Sequence, residues 1–343
     1  MPQLTRDIVV VGTSAGGVQA LQTLVAGLPA DFPAAVCVVL HTWPGAESYL
    51  APILSRAGQL PAVQPKDGDR ICAGKIYVAP SDYHLLLEKD RITVVRGPRE
   101  NRFRPAINPL FRSAATAYRN RVIGIILTGM LDDGAAGLWA IKRCGGVAVV
   151  QSDAEFEQMP NAAVTNVEVD YHIPLEEIPS LLDRLVRESI ELDVTSDIPD
   201  LIRVNDEGAK VNPTEFAIDG VGRRSVFNCP ECDGALWELE EGKQLEYRCH
   251  VGHAYSAVAL REAQLSALER SLWSALRALK ESAALDDRLA RRSEAHGLTS
   301  AAAVYAESAR QKQAHADRMR EFVGQLCFQE SADHLSQEPM TEG

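Results

Sequence analysis

The sequence predicts an α/β fold: a doubly wound, mostly parallel sheet with an inserted β-hairpin, then a small cysteine-bearing module and a C-terminal helical hairpin. Three observations carry this. Between Asp7 and about Glu191 the runs DIVVVG, AAVCVVLH, KIYVAP, RVIGIILTG and GVAVVQ are continuously apolar, as strands buried on both faces of a parallel sheet must be. Amphipathic stretches separate them, which is how crossover helices read. After residue 226, Cys229, Cys232 and Cys249 cluster with His250 and His253, and a leucine-rich stretch follows.

Helices are predicted over Val18 to Ala26, Glu47 to Arg56, Asn108 to Tyr118 and Gly134 to Arg143, each opened by small, polar or proline-containing turns. LLLEKDRITVV, with Lys89 and Asp90 between two apolar-rich arms, reads as the inserted hairpin. IPLEEIPSLLDRLVRESIEL reads as the last helix of the layer structure by its Leu and Ile spacing. The expected units are a catalytic domain over 1–192, a linker over 193–225 rich in Asp, Pro, Gly and Asn, a module over 226–256, a helical hairpin over 257–328 and a disordered tail over 329–343.

The formal charge of -12 and the absence of a Lys/Arg block argue against nucleic-acid binding, because phosphate neutralisation needs clustered cations. Nowhere do about 18 apolar residues follow one another, so a cytoplasmic chain, not embedded in a membrane, is expected. Seven cysteines, an odd number with three of them clustered, suit reduced thiols and a metal better than a disulfide framework.

Gly12-Thr13-Ser14-Ala15-Gly16 spells G-x-S-x-G between an apolar strand and a helix, the context in which a sharp turn lifts a serine hydroxyl clear of the sheet. The same turn could bind phosphate at a helix N-terminus. A dinucleotide site, however, expects an acidic residue at the end of the second strand, where this chain has His41. Ser14, His41 and the Asp132-Asp133 pair all follow strand ends, and strand ends of an open α/β sheet meet in one crevice. An alcohol needs a base to attack an ester carbonyl, and a carboxylate behind the imidazole fixes its tautomer. Taken singly, His41 reads as a hydrogen-bonded strand-end histidine and Asp133 as a helix cap; the trio together reads as chemistry.

VVGTSAGG, VVLH, YVAPSDYH, RPAINPLFRSAA, LTGMLDDGAAG and the Met159-Pro160 segment stand in order from Asp7 to about Leu185, and in these stretches the chain resembles the chemotaxis protein-glutamate methylesterases, the CheB family. The resemblance implies catalytic roles for Ser14, His41 and Asp133, the last through the T-G-M-x-x-D-G-A-A-G frame. Asp132 stands where the family usually has asparagine, Ala15 where threonine is frequent and Leu131 where glycine is common. The resemblance also implies an oxyanion site near Met130; Thr13, Arg102 and Arg104 are further crevice candidates, and no cofactor is expected for catalysis. His84, which also follows an apolar strand, reads as a structural or crevice-wall histidine. Family members often carry a receiver domain; here the esterase region begins at about Asp7, so control is expected from a regulatory protein in trans or from the tail.

Cys229-Pro-Glu-Cys232, then Cys249 and His253 after the hairpin-like ALWELEEGKQLEYR, has the paired knuckles of a zinc ribbon, with His253 favoured over His250 as fourth ligand. Four thiol or imidazole ligands close the shell, so a structural zinc is expected. It would contribute on the order of 10–16 kcal/mol to a piece with little core of its own. Leu260, Leu265, Leu268, Leu272, Leu276 and Leu279, with Trp273, are expected to form the buried face of a helical hairpin, the alternative being a homodimer through these helices. The function read is hydrolysis of glutamyl methyl esters, with possible glutamine deamidation, on a methylated chemoreceptor-type protein. The competing readings are a signalling adaptor that keeps the esterase fold and binds partners through its zinc and helical tail, and a phosphate- or nucleotide-binding α/β protein.

Overall fold

A computed structural model describes residues 4–42, 45, 48–191, 198–199, 202, 222–241 and 243–335, with side chains through 325. Most of the expected linker over 193–225 and the end of the tail lie outside the described residues. By contacts the chain forms two compact units, Met1–Arg261 and Glu262–Gly343.

In the first unit a seven-stranded sheet runs β3(Ala62–Val63), β4(Ile76–Val78), β2(Ala35–Leu40), β1(Ile8–Thr13), β7(Val122–Ile126), β8(Val147–Gln151) and β9(Tyr171–Ile173). Every pairing in it is parallel. The central strands are apolar throughout because both faces are covered. On one face, α1(Gly17–Ala26), α2(Leu50–Ala57) and α6(Ile178–Arg187) pack Leu21, Leu24, Leu54, Leu182 and Leu185 on Val9, Val11, Val36 and Ile125. On the other, α3(Ile107–Tyr118), α4(Ala135–Arg143) and α5(Gln158–Asn166) pack Leu110, Phe111, Leu138 and Met159 on Val10, Val39 and Val150. The doubly wound expectation holds, and the inserted hairpin is present as β5(His84–Glu88) and β6(Arg91–Val95).

The edge strands β3 and β9 and helix α5 were not among the expected elements, for they are too short or too weakly periodic to stand out. The 229–253 region is a four-stranded antiparallel sheet, β10(Arg223–Asn228), β11(Ala235–Glu241), β12(Gln244–Cys249) and β13(Ala254–Ser256). It belongs to the same compact unit as the large sheet.

Helix α7(Ala257–Ala295) leads into the second unit, where Gly297 at φ 74° turns the chain into α8(Thr299–Leu335). Lys312 Nζ meets Asp286 at 2.6 Å across the two helices, so a helical hairpin forms as expected. Its second helix runs to Leu335, past the boundary at 328; the rest of the expected disordered tail lies outside the described residues. The apolar stripe departs from expectation as well. Leu276 is buried, but Leu268 and Trp273 are 47% and 48% exposed, and Ala283 and Ala290 continue the buried face. Among the described residues no helix is long and apolar enough to cross a membrane.

Candidate active site

Three strand tips meet at the carboxyl edge of the sheet. Ser14 follows β1, where Gly16 at φ 73° allows the turn into α1 that a side chain would resist. Behind it, a Cβ on Gly12 would lie 2.4 Å from Ile107, so only glycine lets α3 approach. The Ser14 amide donates to Thr128 O at 3.0 Å, pinning the turn to the end of β7. His41 follows β2, its own amide donating to Thr13 O.

The imidazole joins the other two groups. His41 Nδ1 lies 3.1 Å from Ser14 Oγ and Nε2 lies 2.8 Å from Asp133 Oδ2. An ionised carboxylate only accepts, so Nε2 carries the proton and the Nδ1 lone pair faces the hydroxyl. The His41 ring stacks flat on Phe103, with centroids 3.7 Å apart and planes 3° apart, which fixes its orientation from the side the hydrogen bonds leave open.

Asp133 is buried, which by itself would push its pKa up. The hydrogen bond and charge of His41, the Ile107 amide at 2.6 Å and the Asn101 side-chain amide at 3.0 Å outweigh this and hold it below the usual carboxylate range. The Ile107 amide opens α3, so Asp133 sits at a helix N-terminus where negative charge is favoured. Asn108 Oδ1 accepts from the amides of Gly134 and Gly137, holding the start of α4 and with it the Asp133 turn.

Asp132 points elsewhere and accepts the Ser256 hydroxyl at 2.8 Å. Burial pushes its pKa from 3.8 to about 6 despite that bond. The folded state therefore holds its proton more tightly than the unfolded chain does. The resulting stabilisation is complete below the unfolded pKa and is lost as pH rises through about 6. Asp132→Asn, which keeps the acceptor for Ser256, is expected to stabilise the fold by about 1–2 kcal/mol at pH 8 and to have little effect at about pH 3, as read by thermal melting at both pH values.

A cavity of about 460 Å³ opens over Ser14 and His41, walled by Ala15, Thr42, Arg99, Arg102, Phe103 and Arg104. Arg104 is built in: its Nη2 and Nε meet Asp82 Oδ1 at 2.6 and 2.9 Å, and its Nη1 meets Gly97 O at 2.6 Å. Thr13 is fully buried and its hydroxyl donates to Thr128 O, so it ties β1 to β7 and does not line the cavity. Met130 is exposed on the turn beside Ser14. His84 is buried neutral, its pKa lowered chiefly by burial, with Nε2 donating to Pro98 O and Nδ1 accepting from the Ala106 amide. It braces the segment carrying Phe103 and takes no part in the Ser14 line.

In the four-stranded sheet, Cys229, Cys232, Cys249 and His253 bring their ligand atoms within 4.8 Å of one another. Cys232 and Cys249 sulfurs are 3.7 Å apart, and His253 Nδ1 is 3.6 Å from the sulfurs of both Cys229 and Cys249. A tetrahedral zinc with Zn–S of about 2.3 Å and Zn–N of about 2.05 Å requires edges of about 3.8 and 3.6 Å, so this group could hold that ion. The bond from Cys249, with those of His253 and Tyr255, outweighs burial and holds the Cys229 thiol below the usual thiol range, while the bond to Cys229 and burial push Cys249 up. His253 Nε2 faces Glu231 at 3.4 Å, as the second nitrogen of a metal-bound histidine commonly faces a carboxylate. His250 turns away and packs edge-on against Trp237.

Asn101, Phe103 and the Ile107 amide were not foreseen from the sequence. Asn101 and Phe103 lie in an irregular polar segment with no periodic signal, and a backbone donor leaves no mark in side-chain identity.

Known proteins are similar to the first part of the chain. A Leptospira interrogans protein is 38% identical over 188 residues, covering 54% of this chain and 97% of that protein. A protein from Anaeromyxobacter dehalogenans named protein-glutamate methylesterase/protein-glutamine glutaminase 2 is 40% identical over 183 residues, covering 53% of this chain and 54% of its own length. The crystal structure of the Thermotoga maritima CheB methylesterase catalytic domain superposes with a TM-score of 0.51 at 32% identity, covering 53% of this chain and 100% of that one. The sequence profile of CheB methylesterase matches residues 9–182, just over half of the chain, and with the strand-tip geometry above this chain belongs to the CheB methylesterase family.

Proposed function

We propose that the chain is a protein-glutamate methylesterase acting on methylated chemoreceptor-type proteins in the cytoplasm, with Ser14, His41 and Asp133 as catalytic residues, and that it also deamidates glutamine. The observation that carries this reading is the continuous hydrogen-bond line from Ser14 Oγ through His41 to Asp133 at the floor of an arginine-walled cavity. His41 Nδ1 takes the Ser14 proton as Oγ attacks the ester carbonyl carbon. The imidazolium, stabilised by Asp133, then returns that proton to the departing methoxide, giving methanol and an acyl-serine. Water, deprotonated by the same nitrogen, attacks the acyl-serine and releases the glutamate carboxylate and Ser14. An amide follows the same course and releases ammonia.

The oxyanion needs a donor beside Ser14. The amides flanking Met130 are engaged, Gly129 with Phe156 O and Leu131 with Gln158 Oε1, so we assign the Met130 amide to this role. Arg99, Arg102 and Arg104 wall the cavity, Arg104 paired with Asp82 and Arg99 facing Glu231. Methanol release from methylated receptor, compared between wild type and Ser14→Ala, tests the reading.

We assign the Cys229, Cys232, Cys249 and His253 group to a structural zinc, since four protein ligands leave no position for a substrate. Elemental analysis of the freshly purified protein is expected to find a single zinc ion per chain, and Cys232→Ser to lower that content sharply. A metal-free protein would refute the assignment.

A further inference from the structure

The cavity wall and the cysteine-bearing sheet share one piece of chain, residues 99–104. Its backbone pairs with β13: Ala254 N donates to Arg99 O at 3.3 Å, and Asn101 N donates to Ala254 O at 2.8 Å. Ala254 directly follows the ligand His253. Between these contacts, the buried Glu100 carboxylate takes Arg112 of α3 at 2.6 Å on one side and Arg248 of β12 at 2.9 Å on the other. Burial would raise Glu100, but the two guanidinium groups hold it at about 2, so the clamp stays charged. Arg99, a wall of the cavity, reaches Glu231 at 3.8 Å, and Glu231 in turn faces His253.

Asn101 is where this connection enters the site. Its Oδ1 accepts the Ser256 amide at 2.8 Å while its Nδ2 donates to Asp133 Oδ1 at 3.0 Å. With φ at 48° and its side chain buried, it is held in a conformation that few residues tolerate. Two residues further on, Phe103 carries the His41 ring.

We propose that the cysteine-bearing sheet is a positioning device for the esterase site: metal held by Cys229, Cys232, Cys249 and His253 fixes β13, β13 fixes residues 99–104, and Asn101 is a positioning residue that orients Asp133 and so His41. The inference rests on the catalytic reading of Ser14, His41 and Asp133 and on the metal reading. It makes metal occupancy an input to catalysis without placing the metal near the reacting atoms.

The test measures kcat and KM for methanol release from methylated receptor with the full chain, wild type and Asn101→Gly, each metal-loaded and after chelation verified by elemental analysis. Thermal melting runs alongside. Loaded Asn101→Gly is expected to lose about 10- to 100-fold in kcat, with KM within about twofold and the melting transition retained. Chelated wild type is expected to fall by a similar factor, and chelated Asn101→Gly to fall no further, because both changes cut the same connection.

Unchanged kcat on chelation, losses that multiply, or a chelated protein with no melting transition would each overturn the coupling, as would purified protein without metal. Ser14→Ala at the wild-type rate would instead overturn the catalytic reading. With Ser14 essential, those other outcomes leave the catalytic reading standing, and absence of metal overturns the metal reading together with the coupling.

Discussion

Ser14→Ala is expected to lower kcat for methanol release from methylated receptor by about 10⁴-fold or more while leaving KM within a few fold. His41 Nδ1 is 3.1 Å from Ser14 Oγ, and without that oxygen only water can attack. Water arrives without the fixed orientation that the β1 turn gives the hydroxyl, so the advantage of a positioned nucleophile is lost. The cavity walls are unchanged, so binding persists. The fold should also be unaffected, since the turn is held by the Ser14 amide and the glycines and not by the hydroxyl. A residual rate near wild type would mean that another group performs the attack.

Asp133→Asn is expected to cost about 10⁴-fold in kcat. Asp133 accepts three donors, the His41 Nε2 proton, the Ile107 amide and the Asn101 amide. An asparagine can present its oxygen to only one side of that set, and its NH₂ then faces a donor on the other. If it faces His41, the ring is driven to the tautomer with its proton on Nδ1, where it can no longer take one from Ser14. Acting through the same proton transfer, Asp133→Asn in the Ser14→Ala background should cost little more. Loss factors that multiply in the double variant would show that the two residues do not act as one unit. In wild type the depressed Asp133 pKa keeps it charged throughout the working range. Its contribution to stability is therefore present above the unfolded pKa and is lost only as pH falls through the folded one.

Much of this was legible in residue identity. Strands buried on both faces have to be continuously apolar, so β1, β2, β4, β7 and β8 announced themselves, and a doubly wound sheet converges its strand tips, which singled out Ser14, His41 and the Asp132-Asp133 pair, the family resemblance then choosing Asp133. The cysteine spacing likewise named its own cluster, because paired knuckles on a hairpin bring thiols together through local geometry. Helix α5, with Pro160 inside it, and the two- and three-residue edge strands were illegible because their local signals are weak and only packing secures them.

The sequence by itself determined the layer architecture and pointed to Ser14, His41 and an adjacent aspartate pair and to three clustered cysteines with two histidines, since each follows from short-range pattern plus one topological rule. Only the tertiary structure decided that His41 presents Nδ1 to Ser14, that Phe103 and Asn101 support the trio, that His253 and not His250 joins the thiols, and that the cysteine-bearing sheet meets the cavity wall at residues 99–104. These contacts join segments up to 155 residues apart through single hydrogen bonds and one ring stack. Such contacts impose no period on the chain, so nothing in a linear pattern records them.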